Sequence, residues 1–260
     1  MNTSRPKYVI GYTVFVAAAF ATILVLVSRA TEGRIRINEE AVEMRAILAA
    51  LGVEIKENPS SDKIRAVFKE RVDPPSIPAP LRGVQPYAIY TGYKEGSREA
   101  SNLLGYAFPV KGTGMWGPLY GYMAVEPDLV TVLGIIFYKD EETPGLGHEI
   151  RKTWFQKAFI GKQYWSPEAV KKAADAMAAA GPDKVSEAVD SILADPANAP
   201  GFVFTPATGE GTAGKAYNEV DAVTGATVTT TGVKNLLGGE IIKFLKEMAK
   251  RGIYPKAQGQ

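Results

Sequence analysis

The hydrophobic pattern of the chain starts with an unbroken apolar run near the N-terminus. No charged residue occurs from Tyr8 to Ser28. At about 1.5 Å per residue, a helix over this run is long enough to cross a hydrocarbon core of roughly 30 Å. A cleaved signal peptide would have an apolar region of only about 7–15 residues and a small-residue cleavage site. Because the run is longer and Arg29 follows it at once, we predict an uncleaved transmembrane helix.

The charges that flank this run leave its orientation open. Arg5 and Lys7 favour a cytoplasmic N-terminus, whereas Arg29, Arg34 and Arg36 on the other side favour the reverse. A long domain after the helix can translocate in spite of such charges. Charge counting therefore does not decide which side of a membrane carries the rest of the chain.

Helical spacing continues beyond the apolar run. Apolar residues from Ile37 to Leu51 recur on one helix face, which predicts a juxtamembrane helix that ends near Gly52. A second short helix is predicted from Ile64 to Val72, and prolines from Pro74 to Pro80 indicate a linker. The predicted divisions are a tip and transmembrane helix (1–30), juxtamembrane helices with the linker (31–80) and one domain (81–260).

Three runs rich in aromatic and β-branched residues predict strands in the middle of the chain. The last two are separated by a turn around Pro127, so we expect antiparallel pairing. The segment from Lys111 to Pro118 is predicted to be a glycine-rich loop between the first two. The three predicted strands are Leu103–Val110, Leu119–Val125 and Val130–Tyr138.

The remainder of the chain has helical signals. Ser166-Pro167 is typical of a helix start, and that helix should end before Gly181-Pro182. A second helix is predicted over 183–193, followed by a surface loop over 197–214. The last helix is predicted from about Gly232 to Arg251. Its predicted apolar side comprises Val233, Leu236, Leu237, Ile241, Phe244, Leu245 and Met248.

Composition excludes several classes of function. Hydrophobic residues make up 46% of the chain and charged residues 22%, as in ordinary globular proteins. A net charge of +2, with no basic stripe, gives no reason to expect a nucleic-acid partner. The chain contains no cysteine and one histidine, His148, which argues against thiol catalysis, disulfides and a protein-bound zinc.

The stretch from Asp221 to Thr229 places threonine hydroxyls beside Gly225 and Ala226, shortly before the last helix. Threonines often cap helices, and capping accounts for one of them. Capping does not explain the small residues, which let another molecule approach the backbone closely. A helix N-terminus also favours a phosphate group. The residues leave open a capped helix and a site for a phosphate-bearing ligand.

The pattern Asp221-x-x-Thr224-Gly225-Ala226-Thr227 resembles the flavinylation motif of FMN-binding domains. In that family the threonine after Gly-Ala carries FMN through a phosphoester bond. A separate flavin transferase installs it, using FAD and a divalent metal. The resemblance implies Thr227 as the attachment residue and the other four named residues as its flavin-binding neighbours. It implies no metal site and no catalytic residue in the chain itself.

The segment from Glu142 to Gly147 is, as a pattern, a turn after a strand. It also resembles the Glu-Thr-Pro-Gly-Leu-Gly loop of the same family, in which the threonine and the leucine contact the flavin. The resemblance implies Thr143, Gly145 and Leu146 as cofactor-binding residues. The family usually has a small residue after this loop, where this chain has His148, which we expect to be a solvated residue at the pocket rim.

Trp116 lies in a stretch that resembles one branch of the family, the NqrC-like proteins of sodium-translocating NADH:quinone reductases. The related FMN-carrying component of ion-pumping ferredoxin:NAD oxidoreductases (Rnf) usually has a Gly-Tyr-Gly-like sequence there. The residues alone favour core packing and flavin contact equally for Trp116. The resemblance adds it to the cofactor-binding residues.

The resemblance covers the chain from the apolar run to the final helix and implies an α+β fold. A single transmembrane helix would precede an extracytoplasmic FMN-binding domain with an antiparallel sheet and flanking helices. Residues 166–214 are longer than the family's usual connection, so we expect an inserted surface hairpin and loop, to which we assign no role.

The implied function is electron relay through FMN in a membrane NADH:quinone reductase that transports sodium, without independent catalysis. The implied place is the periplasmic side of the bacterial inner membrane, and the implied partners are the other proteins of the reductase complex and the flavin transferase. Two alternatives remain open from the residues. One is the corresponding role in the Rnf-type ferredoxin:NAD oxidoreductase, and the other is a membrane-tethered binding module without a cofactor.

Overall fold

The computed structural model describes residues 6–55, 59–75, 87–94, 97–206 and 216–256. Most of the predicted proline-rich linker and residues 207–214 of the predicted surface loop lie outside these ranges. The chain forms two compact units, Met1–Val42 and Glu43–Gln260.

The first unit contains most of one long helix, α1 (Pro6–Ala50). An 18-residue window of this helix has a mean hydropathy of 2.4, and none of that window is buried. Thr13 and Thr22 donate their hydroxyls to backbone carbonyls four residues earlier, at 2.9 and 2.8 Å. These bonds satisfy polar groups within an apolar helix. By length and composition α1 is able to span a membrane.

The second unit is built on an antiparallel sheet of five strands in the order β1-β2-β3-β4-β5. The three predicted strands are present as β3, β4 and β5. Strand β3 continues to Thr113, so Lys111 lies in a strand and not in the predicted loop. The strands are β1 (Val72–Asp73), β2 (Tyr90–Tyr93), β3 (Leu103–Thr113), β4 (Pro118–Val125) and β5 (Val132–Lys139).

Different aromatic side chains pack on the two faces of this sheet. On one face Phe108 stacks on Phe244 of the last helix, with ring centroids 4.2 Å apart, and the predicted apolar side of that helix is buried. On the other face Tyr122 stacks on Tyr138 at 5.8 Å. Burial raises the pKa of both phenols, so they stay neutral at physiological pH. The fold is therefore α+β, as predicted.

The remaining helices are α2 (Ser61–Arg71), α3 (Thr153–Lys157), α4 (Pro167–Leu193) and α5 (Thr227–Lys250). Helix α4 starts at the predicted Ser166 cap, whose hydroxyl accepts from the Ala169 N–H at 3.2 Å. It bends at Gly181, where φ is 69°, which matches the predicted break between two helices.

The surface position predicted for the two alanine-rich helices was wrong. Both halves of α4 bury apolar side chains in the main core, among them Met177 and Val189. The predicted loop after them contains strand β6 (Val203–Thr205), which pairs in parallel with β7 (Glu219–Asp221). Burial of apolar area against α5 outweighs the surface character suggested by the alanine-rich sequence.

Candidate functional site

Three segments meet at one end of the sheet. They are the Trp116 loop (114–117) between β3 and β4, the Thr143 loop (142–147) after β5, and the Thr227 turn (224–230) between β7 and α5. Gly232 of α5 lies so close to the end of β3 that a Cβ there would be 2.3 Å from the Thr113 carbonyl oxygen. This contact brings the start of α5 to the loop that holds Trp116.

The Thr227 turn contains the start of helix α5. The helix begins at Thr227 and not near Gly232 as predicted, and in its first turn the Thr230 N–H donates to the Ala226 carbonyl at 2.9 Å. The N-cap residue is Ala226, and it provides no side-chain cap. The N–H groups of a first helical turn have no acceptor within the helix. This terminus is therefore suited to an anion beside the exposed Thr227 hydroxyl.

The threonines after Thr227 do not cap the helix as predicted. Thr229 is 1% exposed and donates its hydroxyl to the Glu142 carboxylate. Thr230 accepts from the N–H of Val223, which lies before the helix, at 3.3 Å. Both hydroxyls thus fix the turn to its surroundings, and only Thr231 bonds within the helix.

Gly225 explains why small residues precede Thr227. Its φ of +76° lies in the left-handed region, which glycine adopts without a steric penalty. A Cβ at this position would lie 3.2 Å from Cδ2 of Leu146. The Thr227 turn and the Thr143 loop are therefore in close contact at Gly225 and Leu146.

The Thr143 loop presents its predicted residues to solvent. The N–H groups of Leu146 and His148 both donate to the Thr143 carbonyl, at 3.1 and 3.3 Å, and Gly145 has a φ of +78°. This turn leaves the side chains of Thr143 and Leu146 exposed, and Leu146 is 44% exposed. An exposed leucine beside a helix N-terminus offers an apolar surface to a ligand.

Trp116 is 67% exposed, so the core-packing interpretation is wrong. Its backbone N–H donates to Oε1 of Glu142 at 2.9 Å, which attaches the Trp116 loop to the Thr143 loop. Trp116 and Leu146 are thus exposed apolar side chains on two segments joined by hydrogen bonds. Together with an uncapped helix N-terminus, they suit a ligand with a flat aromatic ring and a phosphate.

The other three predicted residues lie in the Thr227 turn or just before it. Ala226 is buried and serves as the N-cap, and Thr224 is exposed in the turn. Asp221 is buried at the end of β7, opposite Thr205 in the parallel pair. Within the described ranges no group of three or more His, Asp or Glu side chains is placed to hold a metal ion.

The sequence pattern indicates no separate role for Glu142, although this residue opens the Thr143 loop. Its carboxylate is 6% exposed and joins all three segments. Glu142 follows Asp140 and Glu141, and such a run of acids after a strand is typical of a solvated turn. No local signal therefore distinguished the buried carboxylate from its neighbour.

His148 is not a purely solvated rim residue, which corrects the expectation from sequence. Its Nδ1 lies 3.0 Å from Oδ1 of Asp140, a side chain with no exposed surface. Oδ2 of Asp140 has no hydrogen-bond donor, and Nε of Arg151 lies 3.7 Å from it. Asp140 also accepts from the Glu142 N–H at 3.0 Å. Asp140 and the side chains that contact it thus stabilise the start of the Thr143 loop at Glu142.

We expect the substitution His148→Ala to lower the free energy of unfolding by about 1 kcal/mol, because the buried Asp140 carboxylate loses a hydrogen-bond partner. The measurement is urea unfolding of the detergent-solubilised chain. Lys152→Ala is the control. Lys152 donates to the half-buried Glu149 carboxylate at 3.0 Å and lowers the pKa of that carboxyl. Removing this ion pair at the surface should leave the free energy of unfolding nearly unchanged. Equal effects of the two variants would contradict the structural role of His148.

Residues 114–238 match the family of the FMN-binding domain. The matched range contains all three segments of the site. The match confirms the family resemblance seen in the motifs.

Two curated relatives that the chain resembles have the same name. The C subunit of the Na(+)-translocating NADH-quinone reductase of Chlamydia caviae is 36% identical over 125 residues, which cover 48% of this chain and 34% of that protein. The protein of the same name from Neisseria meningitidis is 33% identical over 129 residues, which cover 48% of this chain and 49% of that protein. The chain thus spans about a third to a half of the length of these relatives.

A solved structure supports the fold. The crystal structure of the C subunit of the Na(+)-translocating NADH-quinone reductase from Parabacteroides distasonis superposes with a TM-score of 0.56 at 21% identity. The superposition covers 83% of this chain and 95% of that one. At this identity the likeness establishes the shared fold.

Proposed function

We propose that this chain is a membrane-anchored electron-transfer component of a sodium-translocating NADH:quinone reductase, with FMN joined to Thr227 by a phosphoester. The observation that carries the proposal is the exposed Thr227 hydroxyl at a helix N-terminus that the Ala226 side chain does not cap, next to exposed Leu146 and within the FMN-binding match. The names of the relatives support an NqrC-like role in preference to the Rnf-type role.

Residues from all three segments would contact the flavin, each at a different part of it. The first-turn N–H groups of α5 would hold the phosphate, and Gly225, which has no side chain, would leave room beside it. Leu146 and Trp116 would provide apolar contact for the ring, and Thr143 would provide a polar contact. The bound flavin supplies the redox chemistry, and the chain supplies binding and orientation.

The proposed location is the bacterial inner membrane, with the FMN domain on the periplasmic side. Helix α1 supports a membrane anchor because its apolar window is long enough to span the bilayer. A covalent tether suits this compartment, since a dissociating cofactor would be diluted there, whereas an ester keeps its effective concentration high. The other proteins of the reductase complex and a flavin transferase are the proposed partners.

Two measurements on one preparation test this function. The full chain is expressed in membranes with a flavin transferase, with omission of the transferase as the control. We expect an intact mass increased by FMN minus water, and the integral-membrane reductase subunits should co-purify. A colourless, unmodified chain would reject the cofactor, and a modified chain that co-purifies with ferredoxin:NAD oxidoreductase subunits would reject the NqrC-like role.

A further inference from the structure

The Glu142 carboxylate receives hydrogen bonds from two segments that are distant in sequence. Oε1 accepts from the N–H of Trp116 at 2.9 Å, and Oε2 accepts from the hydroxyl of Thr229. Glu142 itself begins the Thr143 loop. One side chain thus connects the Trp116 loop, the Thr143 loop and the first turn of α5.

The space around this carboxylate depends on two glycines. A Cβ at Gly114 would lie 2.4 Å from Oε1, and a Cβ at Gly147 would lie 2.3 Å from Oε2. Either would displace the carboxylate. The backbone of Glu142 is fixed as well, because its N–H donates to Asp140. The carboxylate therefore occupies a closely fitted position between the loops.

A carboxylate is suited to this place by its chemistry. Both donors, a backbone N–H and a hydroxyl, require acceptors, and a carboxylate offers two acceptor oxygens and no donor. Hydrogen bonds to such a group are about twice as strong as those between neutral groups. The pair of bonds can thus hold two segments in a defined position relative to the third.

We propose that Glu142 is a positioning residue for the flavin, aligning Thr227 with Trp116 and Leu146 through its bonds to Thr229 and to the Trp116 loop. This inference rests on the proposed function. Glu142 is buried, so it acts through the exposed residues that it places. Thr229 follows Thr227 by two residues in the same helical turn, and its hydroxyl therefore fixes the start of α5 against the Thr143 loop.

The test compares four variants of the full chain, each co-expressed with a flavin transferase. Thr229→Val removes the hydroxyl and keeps the shape, whereas Thr229→Ser keeps the hydroxyl. Glu142→Gln replaces one acceptor oxygen by a donor, and Glu141→Gln is its exposed neighbour and control. The readouts are intact mass, the visible circular dichroism of the attached flavin, its fluorescence anisotropy, and the melting temperature.

We expect Thr229→Val and Glu142→Gln to take up FMN but to lose at least about half of the flavin dichroism and anisotropy, since loss of one buried bond to a charged group shifts a local equilibrium by about tenfold or more. Thr229→Ser and Glu141→Gln should match the wild type. Should a variant fail to fold, hydrogen exchange at Trp116 in the other one measures the same coupling.

Two results would overturn the inference while leaving the proposed function intact. One is a loaded wild type together with unchanged flavin dichroism in both Thr229→Val and Glu142→Gln. The other is a lower melting temperature without any change in the flavin signals, which would show a purely structural role. A wild type that stays unmodified would instead overturn the proposed function, and the inference with it.

Discussion

Thr227→Ala is expected to abolish covalent attachment of FMN and to leave the fold intact. The substitution removes an exposed hydroxyl at the first residue of α5, and alanine is the residue most favourable to a helix. The backbone carbonyl of residue 227, which accepts from Thr231, is unchanged. Intact mass after co-expression with a flavin transferase should show FMN minus water on the wild type and no addition on the variant.

Matched variants make this result specific. Thr231→Ala removes another exposed hydroxyl from the same region of the helix and should retain the full mass increment. Thr227→Ser preserves a hydroxyl at the attachment position and should retain at least part of it. Persistence of the increment in Thr227→Ala, or its loss in Thr231→Ala, would show that the ester site lies elsewhere.

We expect Gly147→Ala to lower the free energy of unfolding. Its added Cβ would lie 2.3 Å from Oε2 of Glu142 and 2.6 Å from the Thr229 hydroxyl, and both atoms belong to buried side chains. Overpacking of this kind typically costs about 1–3 kcal/mol. Because the methyl group separates the two partners of one hydrogen bond, we also expect reduced flavin dichroism. Urea unfolding of the solubilised chain measures the stability change.

Gly239→Ala is the control for this substitution. Gly239 lies within α5, and a Cβ there would meet no atom within 4 Å. Replacing a helical glycine by alanine in open space should stabilise the chain by about 0.5–1 kcal/mol. The two glycine-to-alanine changes are thus expected to have opposite signs. A neutral or stabilising Gly147→Ala would show that the Glu142 carboxylate is not enclosed as described.

Elements with a strong local pattern were predictable. The apolar run over Tyr8–Ser28 lies within α1, and the three aromatic and β-branched runs form β3, β4 and β5. The predicted apolar side of the last helix is buried in full. In each case the pattern of buried residues repeats over two or more turns or pleats, so a short window of sequence contains the signal.

Elements defined by distant partners were missed. Strands β1 and β2 are short, and their pairing depends on each other and on β3. Helix α4 is alanine-rich and suggested a surface hairpin, yet its small side chains pack closely against α5. The start of α5 was predicted near Gly232, whereas the helix begins at Thr227, and the hydroxyls of Thr229 and Thr230 bond to Glu142 and to the Val223 N–H.

The residues of the site also differ in whether the sequence alone predicts them. Thr227, Thr143 and Leu146 could be named from the sequence because their motifs are contiguous, so the order of residues contains the whole pattern. Glu142 could not, because its partners Trp116 and Thr229 are 26 and 87 positions away. A hydrogen bond needs two atoms within about 3.5 Å. Only folding brings such distant groups together, and it also makes Glu142 the centre of the site while its neighbour Glu141 remains exposed.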